Sequence, residues 1–129
     1  MAEQLAELNK GNNVVYSTDE IQIGWKNING TRKALYQKTY TGTFGTLTKN
    51  ALGSVELEAV PSTYRLQSFE GWANHASGRI PIPYTFARPS VEQMFVVNQV
   101  FSLGFYVSYY LNTTAYDGQE YEVTVRYTK

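Results

Sequence analysis

The stretch Ile21-Gln22-Ile23-Gly24-Trp25-Lys26-Asn27-Ile28-Asn29-Gly30, running into Leu35-Tyr36-Gln37-Lys38-Thr39, decides the fold. Ile21, Ile23 and Trp25 recur at every second position, and Asn29-Gly30 then supplies the left-handed dihedrals of a two-residue turn, so the segment reads as a β-hairpin. Ser17-Thr18-Asp19-Glu20 just before it has capping-box spacing, but the two-residue period that follows argues for entry into a strand. The closing segment Tyr121-Glu122-Val123-Thr124-Val125-Arg126-Tyr127-Thr128-Lys129 repeats the pattern. It sets Tyr121, Val123, Val125 and Tyr127 on one face and Glu122, Thr124 and Arg126 on the other, as a half-buried strand requires.

Working outward, Ala34 to Phe44 is a long strand rich in Thr and Tyr, followed by a loop from Gly45 to Gly53. Val55, Leu57 and Ala59 alternate with Glu56 and Glu58, which predicts a strand with a charged outer face, stopped by Pro61. Tyr64 to Ala73 resumes the pattern and Asn74 to Gly78 is a turn. Ile80-Pro81-Ile82-Pro83-Tyr84 is extended but cannot donate at either proline, so it belongs at a sheet edge. Two strands follow, near Val91 to Val100 and Leu103 to Leu111, and the Asn112 to Gly118 loop leads into the last. Strands of about eight in number, at this spacing, predict an all-β, antiparallel β-sandwich, jelly-roll-like in arrangement. In Leu103 to Leu111 the residues Phe105, Tyr106, Tyr109 and Tyr110 crowd both faces, which calls for a partner surface. Ala2 to Lys10 is the one helix-like stretch, with Leu5 and Leu8 three apart and Gly11 placed to end it. The domain reading is a helical segment or stalk remnant over 1–13 and a β-sandwich over 14–129.

A chain of 129 residues forms one domain that buries roughly two-thirds of its unfolded surface. Cysteine is absent, so there is no thiol chemistry and no cysteine-ligated metal. Eleven basic residues balance eleven acidic ones, which leaves no field to draw nucleic acid. No apolar run approaches the ~20 residues that span a bilayer, so no membrane insertion is expected. Eleven tyrosines serve half-buried strands and recognition surfaces equally well.

The hairpin with Gly24-Trp25, Asn29-Gly30 and Leu35-Tyr36-Gln37-Lys38-Thr39, the Ile80-Pro81-Ile82-Pro83-Tyr84 segment and the Val123 to Lys129 ending, in this order, resemble a recurrent module. The chain is similar, over about Val15 to Lys129, to the C-terminal domain of bacteriophage and prophage tail-fibre and baseplate proteins. The resemblance implies a small β-sandwich, commonly a homotrimer at a fibre end, that sits in the virion among other phage tail proteins and contacts a bacterial surface glycan or protein. Gly53 to Trp72 and Val91 to Tyr110 depart from that pattern, and the family supplies no fixed set of binding residues to carry over.

A site must therefore be argued physically. Connections between consecutive antiparallel strands fall alternately at the two ends of a sandwich. With eight strands, the Asn29-Gly30 turn, the Pro61-Ser62-Thr63 turn, the Thr85 to Ser90 loop and the Asn112 to Gly118 loop share one end. The Gly45 to Gly53 loop, the Asn74 to Gly78 turn, the Ser102 turn and both termini share the other. The candidate receptor contacts on the first end are Asn29, Thr63, Phe86, Arg88, Asn112, Tyr116 and Asp117, which combine rings for sugar faces with groups that satisfy hydroxyls. Turn chemistry alone also places Asn, Asp and Thr there. A second constellation is Trp72, His75 and Arg79, although a tryptophan placed like Trp72 more often fills the core or a subunit seam than binds a sugar. His75 is the only histidine, so a histidine metal site or a catalytic Ser-His pair lacks material. Glu56 and Glu58, at positions i and i+2, have about the spacing of a glycosidase pair. Nothing in the sequence raises the pKa of either, so solvation is the simpler reading. The expectation is a non-catalytic receptor-binding domain with no metal or cofactor. The alternatives are a virion structural protein, such as a decoration or baseplate component, and a monomeric bacterial carbohydrate-binding module.

Overall fold

A computed structural model describes residues 16–88 and 91–129, without the side chains of residues 87, 88, 91 and 92. The helix expected over Ala2 to Lys10 lies outside the described residues. Among the described residues, nine antiparallel strands form two sheets: β1 (Ile21–Ile28), β2 (Thr31–Thr43), β3 (Leu52–Glu58), β4 (Arg65–His75), β5 (Gly78–Ile82), β6 (Tyr84–Arg88), β7 (Val91–Val100), β8 (Gly104–Tyr110) and β9 (Glu120–Thr128). The first sheet runs β1-β2-β9-β4-β5 and the second β3-β8-β7-β6, an all-β arrangement consistent with a β-sandwich. The first hairpin turns as its sequence predicts, with Asn29 at φ 50° and Gly30 at φ 81°.

Its strand is not regular, however. The pairing passes from Gln22↔Tyr36 to Gly24↔Leu35, so Ile23 is an extra residue in β1. Such a bulge inverts the alternation beyond it. Ile21 and Trp25 therefore point to opposite faces rather than sharing one, with Ile21 buried and Trp25 56% exposed beneath the Arg32 guanidinium at 4.4 Å. The two-residue period of the sequence cannot register a single inserted residue.

The closing strand behaves as read. β9 lies between β2 and β4, and Tyr121, Val123, Val125 and Tyr127 are buried on its inner face. Opposite them β8 contributes Phe105, Val107 and Tyr109, so the core is closed by rings from both sheets, with Phe105 5.3 Å from Tyr127. Phe44, just past β2, stacks on Tyr121 at 4.6 Å and on Phe95 of β7 at 5.9 Å. On the outer face of the first sheet, Thr39 and Thr124 are also buried, and they satisfy each other through a 2.8 Å hydroxyl contact.

The chain reverses direction once more often than an eight-strand count allows. Pro83 has no N–H to donate, so pairing stops there, and the chain passes from β5 in the first sheet to β6 in the second. The Ile82–Pro83 peptide bond is cis. The stretch expected to be a loop, Thr85 to Ser90, is largely strand β6 and pairs with β7. Every later connection consequently moves to the opposite end. The Asn112 to Gly118 loop joins the Gly45 to Gly53 loop, where Gly118 N–H donates to the Phe44 carbonyl at 3.0 Å and Asn50 N–H to the Leu111 carbonyl at 2.7 Å. It also meets the Asn74 to Gly78 turn, as Ala76 N–H donates to the Ala115 carbonyl at 2.9 Å. The Asn29-Gly30 turn, the Pro61 turn, the Ser102 turn and the end of β9 gather at the other end, where Gln99 Nε2 donates to the Tyr64 carbonyl at 2.6 Å and Arg65 lies 4.7 Å over Phe101.

One carboxylate, Glu58, ties the two sheets together, and a second, Glu20, ties the entry of β1 to the end of β9. Glu58 follows a bulge in β3, between Glu56 and Glu58, that turns it away from the charged outer face expected for it. It reaches across to β2 instead, accepting from Tyr40 Oη at 2.5 Å and Lys38 Nζ at 2.9 Å. Glu20 accepts from Tyr127 Oη and, at 2.8 Å, from Lys129 Nζ. Partial burial works to raise both carboxyls, but the donors outweigh it and hold each below the ordinary 4.5. A depressed folded-state pKa gives stability that is present above the unfolded value and lost as the pH falls through the folded one. Melting temperature should therefore be flat near neutrality and drop below about pH 4.5. Glu58→Gln should flatten that acid limb, and an unchanged slope in the variant would show that Glu58 contributes nothing to it.

Candidate functional site

Because β5 and β6 belong to different sheets, the sandwich is left unclosed along their shared edge. A cleft of about 290 Å³ opens there, lined by His75, Ser77, Gly78, Arg79, Ile80, Tyr84, Phe86, Gln93 and Tyr116. Strand alternation explains the lining. Tyr84 and Phe86 pair with Phe95 and Gln93 on the inner face of the second sheet, and His75 and Ile80 lie on the inner face of the first. Tyr84 and Phe86 hold their rings nearly parallel, at 6.4 Å and 6°. Tyr116 forms the floor. It is fully buried, its ring meets Phe95 at 4.9 Å and the His75 edge at 5.0 Å, and its hydroxyl donates to Gln93 Oε1 at 2.9 Å. Burial, with a smaller effect from Tyr84, pushes that hydroxyl up to about 12, so it remains a donor at physiological pH.

Arg79 lies at the edge of the cleft, but its side chain is on the outer face of the first sheet, beside Asn74. Its guanidinium lies 3.7 Å over the Trp72 ring and its Nε donates to Asn74 Oδ1 at 3.0 Å. Trp72 is not a core residue. It sits half-buried on the outer face of the first sheet, where its Nε1 donates to Glu122 at 3.2 Å. Beside it, Thr41, Gly42, Thr43, Glu120 and Tyr121 complete a second hollow of about 390 Å³.

The expected tip set is split by the extra reversal. Asn29 and Thr63 are exposed at the end with the Ser102 turn, whereas Phe86, Asn112, Tyr116 and Asp117 are at the other, together with Trp72, His75 and Arg79. Arg88 ends β6 at that second end, and its side chain lies outside the described residues. Two of the expected contacts serve structure. Tyr116 is buried rather than presented, and Asp117 accepts from Leu47 N–H at 3.1 Å and pairs with Lys49 at 3.2 Å. The backbone donor and, behind it, Lys49 hold the Asp117 carboxyl below its ordinary value. The C-terminal end of β9 is not beside the Gly45 to Gly53 loop, as expected, but beside Arg65 at the other end.

Tyr84, Ser77 and Gln93 were not singled out by sequence. The i, i+2 spacing of Tyr84 and Phe86 was the available signal, hidden by reading the segment after Pro83 as loop. Glu56 and Glu58, with the bulge between them, do not form a carboxylate pair on one face, and Glu58 is held ionised by its two donors. Groups of three or more potential metal ligands are absent among the described residues. Nor, among the described residues, is any helix long and apolar enough to cross a membrane. No protein-family model, curated protein or solved structure matches this chain.

Proposed function

We propose that this chain is a non-catalytic receptor-binding domain of the phage tail-fibre or baseplate kind, which holds a bacterial surface glycan in the cleft between β5 and β6. The observation that carries the reading is the convergence of His75, Tyr84 and Phe86, from both sheets, on one concave site floored by Tyr116. Rings that face a cleft offer apolar surface to the C–H faces of sugars, while imidazole and amide groups fix the hydroxyls. The ionised state of Glu58 supports binding rather than hydrolysis, since a glycosidase acid needs the opposite shift.

Assembly as a homotrimer fits this role, because linked weak sites gain retention through effective concentration. Its support is the outer face of the second sheet, where Leu52, Tyr110 and Met94 stand in one cross-strand row and Leu52 is 74% exposed. The trimer would give a light-scattering mass near three times 14.6 kDa.

Retention of the labelled protein on a panel of bacterial strains tests the reading. Strains that retain it should lose the signal after periodate oxidation of their surface sugars, and the free protein should slow phage adsorption to them. Retention that survives periodate on every strain would contradict a glycan receptor.

A further inference from the structure

We infer that the end of the sandwich carrying the Asn29-Gly30 turn docks on an anionic lipid bilayer, its exposed apolar side chains at headgroup depth and its cations on the phosphates. The β1–β2 hairpin outruns the rest of its sheet. β2 pairs with β9 from Tyr36 onward, so Gly24 to Leu35 project past the end of β9 as a two-stranded ribbon. On one face of the ribbon Lys26 and Lys33 stand directly opposite each other, a like-charge pair that costs stability. On the other face Arg32 covers the exposed Trp25 ring. The β7–β8 turn repeats this pairing of ring and cation. There Arg65 covers Phe101, and Phe101 and Leu103 flank Ser102, each more than half exposed. Register sets the two groups at one level. Phe105 lies against Tyr127, which pairs with Tyr36; two residues further on each sheet come Leu103 and the Trp25 and Ala34 pair, both about 7 Å beyond.

Lys26, Arg32, Lys33 and Arg65 form no ion pair among the described residues, whereas the nearer acids Glu20 and Glu58 are held by Lys129 and Lys38. Glu120 and Glu122, which also form no ion pair among the described residues, open β9 at the opposite end. From Lys33 to Thr43, the partner of Glu120, β2 spans about 33 Å, several Debye lengths at physiological salt. The cations therefore face an outside partner. Their apolar neighbours sit on the tips of separate turns, which suits a surface with the same chemistry at every point and no shape to match. Trp and Arg fit the headgroup level because each has an apolar body and a polar edge. Anionic headgroups attract cations held within a Debye length of them. A nucleic acid would use the same cations but has no place for Val100 and Leu103. The domain would lie on the bilayer and not span it.

The test is flotation of the full chain with vesicles of phosphatidylcholine alone and of phosphatidylcholine mixed equally with phosphatidylglycerol, with a single-stranded oligonucleotide as competitor. Retention is expected on the mixed vesicles only, with release at high salt. It should weaken about tenfold or more in Lys26→Gln with Lys33→Gln, and separately in Phe101→Ser with Leu103→Ser. Melting curves matching the parent show that both variants are folded. Trp25 emission, read in Trp72→Phe, should shift to the blue on the mixed vesicles and needs no change at the docking end. Phe86→Ala should bind vesicles as the parent does, because this docking is independent of the glycan cleft. No retention on mixed vesicles, equal retention on both compositions, or retention held within about twofold in either double variant would overturn the inference. An oligonucleotide that displaces the protein from vesicles, and binds it through Lys26 and Lys33 but not Leu103, would assign this end to nucleic acid and overturn it as well.

Discussion

Phe95→Ala should lower the free energy of unfolding by about 3–5 kcal/mol, the range of buried phenylalanine truncations. Phe95 is 0% exposed and sits where both sheets and one loop meet, with Phe44 at 5.9 Å, Tyr109 at 6.4 Å and Tyr116 at 4.9 Å. Removing the ring deletes its transfer energy and leaves a void that three other rings, each fixed by its own contacts, fill poorly. Urea unfolding should show the midpoint falling with little change in slope, and a loss below about 1 kcal/mol would mean the site can collapse around the gap. The floor of the cleft rests on the same ring. Phe95→Leu, which keeps most of the volume, should therefore fold and still bind glycan more weakly.

Gly104→Ala is expected to cost on the order of 2–6 kcal/mol, the sum of backbone strain and overpacking. Gly104 opens β8 at φ 147°, which L side chains rarely adopt, and a Cβ there would overlap the Glu58 carbonyl oxygen and the Ala59 Cα. The obstacle is backbone, not the end of a flexible side chain, so it cannot step aside cheaply. Relief requires β3 to move away from β8, which would pull Glu58 from Lys38 and Tyr40. Thermal melting checks this, and a variant within a few degrees of the parent would show that β3 yields freely.

How much of this was legible in the sequence depends on which physical signal each element leaves. The Asn29-Gly30 turn was legible because its backbone demands that residue pair, and β9 because an inner strand with a half-polar outer face alternates cleanly. The bulges at Ile23 and Leu57 were not, since one extra residue changes the facing of Trp25 and Glu58 without altering composition. Pro83 was recognised as an end to pairing but not as a change of sheet. That one omission sent every later loop to the wrong end, and it separated Phe86 and Tyr116 from His75 and Arg79. Tyr116 looked like a loop aromatic available to a ligand, because nothing in Asn112 to Gly118 reveals that the loop folds back over Phe95.

The most direct test of the account compares the two ends of the sandwich on one purified polysaccharide that the protein retains, by titration calorimetry. Phe86→Ala, which removes a cleft ring, should weaken binding by about tenfold or more, whereas Asn29→Ala combined with Thr63→Ala should leave it within about twofold. Binding that survives Phe86→Ala but is lost in the Asn29 and Thr63 variant would place the receptor site at the opposite end and contradict the account.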